Sequence, residues 1–227
     1  MIHVIDITDG WRQRPIRRRK ADGGSGIRLY DLHRDFAPRR IVLHQWAAEV
    51  SPASEAAARR LLGGRVYDDL AREHGAAVVR LAARAARVPY HLSVGVTDAG
   101  EGVVVQAWPL TLLTQHAGDV NASSIGVGVM GLFEAEVAGS RPPGLGEALR
   151  EALRIASAAL RGPGLPFPPV LHTHSQSTTK PADPGLWSIR EGVAPLVRDG
   201  VLAVEPGHSS GSGRPWPASW VDAIGLA

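Results

Sequence analysis

The chain switches between two hydrophobic periods, and the switches mark its elements. Near the front, IHVIDITD alternates apolar and polar positions as a short strand does. Ile41-Val42-Leu43-His44 is a compact apolar run ending in an imidazole, which predicts a buried strand whose last residue reaches a cleft. From Ser51 the composition turns to Ala, Arg, Leu and Glu at helical spacing as far as Arg87, with Ser51-Pro52 and Ser54-Glu55 as start signals. Gly63-Gly64 and Gly75 split this stretch into two or three helices. Period two then returns: Pro89 to Val96 reads as a strand, Asp98-Ala99-Gly100 as a turn, and Gly102 to Trp108 as the hairpin partner. A further strand is predicted over Ser124 to Gly131.

Leu149, Leu153, Ile155, Ala156 and Leu160 predict an amphipathic helix from Gly146 to Leu160, stopped by Gly162-Pro163-Gly164. Pro169 to His174 reads as one more strand opening into a polar loop, and Leu186 to Val197 as a last helix. Strands and helices intermix throughout, so the expected fold is α/β, a single domain with a central mixed β-sheet flanked by helices on both faces. We expect a basic amino-terminal extension over 1–28, the main domain over 29–205, and a tail over 206–227 rich in Gly, Ser, Pro and Trp. That tail reads as an irregular strap or loosely held end.

Composition narrows the function. With 227 residues, 44% hydrophobic and 21% charged, the chain has the balance of a soluble globular protein, and no apolar run approaches a membrane span. The amino terminus places apolar residues before basic ones, the reverse of a secretory leader, so a cytoplasmic start is expected. Cysteine is absent, which excludes disulfides, thiolate metal sites and a cysteine nucleophile. The net charge is only +3, yet Arg12, Arg14, Arg17, Arg18, Arg19 and Lys20 make the front locally basic and able to attract an anionic polymer. No aromatic-interleaved stripe accompanies that cluster, so specific nucleic-acid binding is not expected.

Any metal site must therefore use His with Asp or Glu. Of the nine histidines, His3, His33, His74 and His208 stand alone and read as ordinary core or surface residues. The stretch from His172 to Gly185 differs, because it gathers imidazole, ammonium and carboxylate in one polar loop after a strand. Those are the groups a hydrolytic zinc centre needs: three protein ligands, an open fourth position, and a cation where negative charge develops. Two histidines and one aspartate would suffice.

Four segments in order, IVLHQW, PYHLSV, QHAGDVNASSIGVGVMG and THSQSTTKPADPG, resemble the zinc-dependent N-acetylmuramoyl-L-alanine amidases of the type 2 class. Those enzymes share their fold with peptidoglycan recognition proteins. The resemblance spans roughly Arg40 to Val197. It implies Zn2+ as cofactor, with His44, His174 and Asp183 as ligands. His172 is the alternative to His174, since alternation puts both on one strand face. It also implies Tyr90 and Lys180 as catalytic residues, and His116, Ala117, Gly118 and Asn121 as substrate-binding ones.

Two departures stand out. Lys180 lies three residues before Asp183 rather than the family's usual two, with Pro181 in the extra space, and Gln115 stands where Trp usually precedes the histidine. Gly128 occupies the position where many bacterial members carry a Glu able to act as general base, although some active members also lack it. The implied activity is hydrolysis of the bond between N-acetylmuramic acid and L-alanine in peptidoglycan or its fragments, an endolysin-like cell-wall degradation. The other function open to this fold is binding muropeptides without cutting them. Peptidoglycan or muropeptide is the expected partner, with no insertion into a membrane.

Overall fold

The structure is a computed structural model that describes residues 1–8, 17–19, 25–27, 38–46, 53–114, 116–131, 142–180 and 183–226. Arg12, Arg14, Lys20, His33, Ser51, Pro52, Gln115 and Pro181 lie outside them. A seven-stranded sheet runs through the molecule. Its strands are β1 (Ile2–Asp6), β4 (Arg40–Trp46), β5 (Leu92–Val96), β6 (Gly102–Gln106), β7 (Ser124–Met130), β8 (Val170–Thr173) and β9 (Ala203–Val204). A separate antiparallel pair joins β2 (Arg17–Arg19) to β3 (Ser25–Ile27). The order across the main sheet is β1-β6-β5-β7-β4-β8-β9. Among the described strands of this sheet only the β5–β6 hairpin is antiparallel, which makes the sheet mixed, as expected.

The central strands β7 and β4 run parallel in a register that pairs Arg40 with Ser124 and His44 with Gly128. Alternation then sorts their side chains. Ile41 and Leu43 of β4 join Ile125, Val127 and Val129 of β7 in the larger core, packed against α4 (Pro143–Ala159). Leu145, Leu149, Leu153 and Ala156 of α4, four residues apart in turn or nearly so, form the facing stripe.

The opposite face of the sheet is covered in two parts. Over β1 and β6 lie α1 (Glu55–Leu62), α2 (Gly64–His74) and α3 (Ala76–Ala85), which close a second core around Ile5, Val103, Val105 and Trp108. The predicted breaks at Gly63 and Gly75 are the helix boundaries, and Ser54 caps α1 by accepting the Ala57 N–H at 3.2 Å. Over β4, a 3-10 turn at Gly118–Ser123 brings Ala117 and Val120 onto Val42. Among the described residues, no helix is long and apolar enough to cross a membrane.

Three expectations change. Ile2–Asp6, expected within an amino-terminal extension, is an edge strand of the main sheet, with Val4 paired to Val104 and Ile5 buried. The last helix is irregular: α5 (Leu186–Ser188) passes through a π-helical turn at Ile189–Val193 into α6 (Ala194–Arg198). The tail is not loosely held. Its end folds as α7 (Ala218–Ile224), and Trp216, Trp220 and Ile224 are buried in the larger core. Local polarity and turn residues hid this, because three large apolar side chains suffice to dock an otherwise polar strap.

Trp220→Ala should therefore cost about 3 kcal/mol or more, the usual penalty for truncating a buried tryptophan. Urea denaturation measures it, and an unchanged midpoint would mean that the tail contributes nothing to the core.

Candidate metal centre and its surroundings

His44 comes from β4, His174 begins the 3-10 turn (His174–Gln176) directly after β8, and Asp183 follows the loop beyond it. Because β4 and β8 are adjacent and parallel, their carboxyl ends deliver both imidazoles to one spot. The three residues are buried, and one ligand atom from each lies within 4.8 Å of the others. The His44 and His174 rings are 4.3 Å apart between centroids.

Asp183 is fixed from two sides. Its Oδ1 accepts the Gln45 backbone N–H at 2.7 Å, and its Oδ2 lies 2.6 Å from His174 Nδ1. The first contact ties the aspartate to the strand that carries His44. Among the described residues the His44 ring makes one hydrogen bond, between Nε2 and His116 Nδ1 at 3.0 Å, and its buried Nδ1 has no partner. A buried polar atom with nothing to bind is costly, and beside an imidazole and a carboxylate it is the mark of a ligand position. Two nitrogens and one oxygen are a donor set suited to zinc, so the residues present fit the metal.

A second group lies along β8. His172, the alternative ligand, places Nε2 3.1 Å from Glu205 Oε2 and Nδ1 3.4 Å from an Arg40 guanidinium nitrogen, and its ring stacks on His208 at 4.3 Å. Both of its nitrogens are thus engaged away from His44, and His174 is the imidazole that joins His44 and Asp183.

Tyr90 leans over the centre, its ring centroid 4.9 Å from that of His44. Burial raises its hydroxyl pKa, the Asp183 charge raises it further, and the group stays a phenol at neutral pH. Gly128 explains how the ring fits: a Cβ there would run into the Tyr90 ring carbons. The space a larger side chain at this position would need is filled by the tyrosine ring. Lys180 is exposed on the loop before Asp183, and its positive charge is among the influences that lower the His44 pKa.

The stretch expected to face substrate makes its bonds within the protein. His116 is buried between His44 and Ser124, with Nε2 3.2 Å from the Ser124 carbonyl. Asn121 Oδ1 accepts the backbone N–H groups of His116 and Ala117 at 2.9 and 2.6 Å, bracing the start of the 3-10 turn. Ala117 packs on Val42, and Gly118 opens the turn. His91 was not singled out by sequence reasoning, yet it supports the same wall. Its Nε2–H donates to the Leu112 carbonyl at 2.7 Å and its Nδ1 accepts the Gly126 N–H at 2.9 Å. The signal that could have found this wall is the row Ser124, Gly126, Gly128, small residues at period two on one face of an apolar strand.

No family model and no curated protein sequence matches the chain. Solved structures do. The chain is similar to the N-acetylmuramoyl-L-alanine amidase endolysin LysCS of Clostridium intestinale, at 16% identity over 80% of this chain and 86% of that one, TM-score 0.42. It is similar to the endolysin of Thermus scotoductus bacteriophage Ph2119, at 19% identity over 88% and 100%, TM-score 0.46. A third is the ectodomain complex of peptidoglycan recognition proteins LCa and LCx bound to tracheal cytotoxin, at 19% identity over 88% and 98%, TM-score 0.45.

Burial holds three of these imidazoles neutral: His44 is pushed well below the ordinary range, chiefly by burial and then by His174, His116 and Lys180. Burial likewise lowers His91 to about 4 and His116 to about 3. An unfolded histidine takes a proton near pH 6.5, so below that the unfolded chain binds protons that the folded chain refuses. The sign follows: stability is fully present above about pH 6.5 and falls as pH drops, by up to ~1.4 kcal/mol per pH unit for each histidine. The urea midpoint of the metal-free protein should fall between pH 7 and pH 5. A flat profile would contradict neutral burial.

Proposed function

We propose that the protein is a zinc-dependent hydrolase of the amide bond between N-acetylmuramic acid and L-alanine in peptidoglycan or its fragments. The observation that carries this reading is the buried His44, His174 and Asp183 group, with one His44 ring nitrogen unpartnered among the described residues. The ordered motifs of the sequence supply the substrate class.

In this reading His44, His174 and Asp183 hold the metal. Zinc bound there supplies a Lewis acid for the amide carbonyl and lowers the pKa of a water toward neutrality. The remaining work belongs to the chain. Hydrolysis turns the carbonyl oxygen into an oxyanion, and the Lys180 ammonium, on the exposed side of the centre, offsets that charge. As the C–N bond breaks, the departing alanine nitrogen needs a proton. Tyr90 keeps its own at neutral pH and its ring lies 4.9 Å from that of His44, which supports the phenol as the donor in this reading. Gly128 offers no carboxylate for a general base, and the Tyr90 ring leaves no room for one.

Zinc-loaded protein incubated with muropeptide should release free stem peptide, and chelation should stop the release until zinc is returned. Lys180→Ala should lower turnover by about a hundredfold, the usual cost of one oxyanion donor. Mass spectrometry of the products reads both. Muropeptide bound but never cut would favour the recognition module instead, and unchanged turnover in Lys180→Ala would remove that lysine from the chemistry.

A further inference from the structure

His116 was expected to touch substrate, but its surroundings give it another task. Its Nε2 faces the Ser124 carbonyl oxygen at 3.2 Å and the Ser124 hydroxyl oxygen at 3.3 Å. The carbonyl can only accept. The hydroxyl donates its single proton to the Val120 carbonyl at 2.7 Å, so toward His116 it too can only accept. Nε2 of His116 must therefore carry the proton. In a buried neutral imidazole this leaves Nδ1 with a lone pair, which accepts from His44 Nε2 at 3.0 Å. His44 then carries its own proton on Nε2, and its buried Nδ1 is a bare lone pair with no partner among the described residues.

We propose that His116 is a positioning residue: with Ser124 it fixes His44 in the Nε2–H tautomer, so that Nδ1 is offered to the metal. The proposal rests on the metal-centre reading above but makes a claim about the metal-free protein. The reverse arrangement would leave His116 Nε2 bare against two acceptor oxygens. It would also leave His44 with an N–H buried where a ligand lone pair is needed.

The neighbourhood is built to hold this chain of bonds. Asn121 grips the His116 and Ala117 backbone N–H groups. On β7 a Cβ at Gly126 would lie 2.7 Å from the His116 ring, so only glycine lets the ring lie flat there. His91, by accepting the Gly126 N–H, pins that glycine in turn. Partners that orient a ligating histidine typically change metal affinity by 10- to 100-fold when removed.

Long-range proton–nitrogen NMR of the metal-free protein at pH 7 tests the tautomers directly. Both His44 and His116 should give Nε2–H signatures. A His44 Nδ1–H signature would overturn the proposal whether or not the protein binds zinc. Competition with a chelating dye gives a second reading. His116→Phe should weaken zinc binding by roughly 10- to 100-fold, whereas His116→Gln, whose amide can accept from His44 and donate to Ser124, should recover part of the loss. A folded His116→Phe protein with unchanged zinc affinity would also overturn it. Should that variant not fold, the tautomers of the unaltered protein still decide. Wild-type protein that shows the expected tautomers yet binds no zinc would defeat the metal reading and not the assignment of His44.

Discussion

A lone pair on a buried imidazole must meet something, and leaving it unmet costs about 1–3 kcal/mol. In the tautomer proposed above His44 Nδ1 is such a lone pair, at the centre of the sheet and unpartnered among the described residues, whereas the rings of His91, His116 and His172 meet carbonyls, a backbone amide or a carboxylate. The rest of the site can be understood from that atom outward. Parallel pairing of β4 with β8 brings His174 beside it, and the Gln45 amide next in the chain draws in Asp183. What the arrangement lacks in internal hydrogen bonding is what a cation supplies. The same low-dielectric burial that keeps His44, His91 and His116 neutral also keeps them available as ligands and acceptors.

The second constraint is space on β7. Ile125, Val127 and Val129 fill the core on one face, while Ser124, Gly126 and Gly128 present almost nothing on the other. That bare face is what His116 and Tyr90 lie against. A strand built of glycine loses packing and gains nothing by itself, so its emptiness is explained by the two rings that occupy it. Gly128 in particular exchanges a possible carboxylate for a tyrosine ring, which moves proton handling toward the phenol in the proposed chemistry.

Much of this was legible in the sequence because periodicity reports burial. The apolar run ending in His44, the helix breaks at Gly63 and Gly75, the hairpin around Asp98-Ala99-Gly100 and the stripe of α4 all follow from local pattern. Ligand candidates came from motif order, and the structure brings His44, His174 and Asp183 together. Sheet order did not follow, since nothing local makes Ile2–Asp6 pair with residues a hundred positions away. Nor did the docking of Trp216 and Trp220, nor the inward turn of His116, whose partners are set by strand register.

The central claim is that one divalent ion is caged by His44, His174 and Asp183, and equilibrium dialysis against zinc with elemental analysis tests it most directly. The unaltered chain and a Glu205→Gln chain, disabled only in the His172 and His208 group, should each retain one zinc. Asp183→Ala should retain much less. Full zinc in the Asp183→Ala chain, or zinc lost only from Glu205→Gln, would place the metal elsewhere and contradict the account.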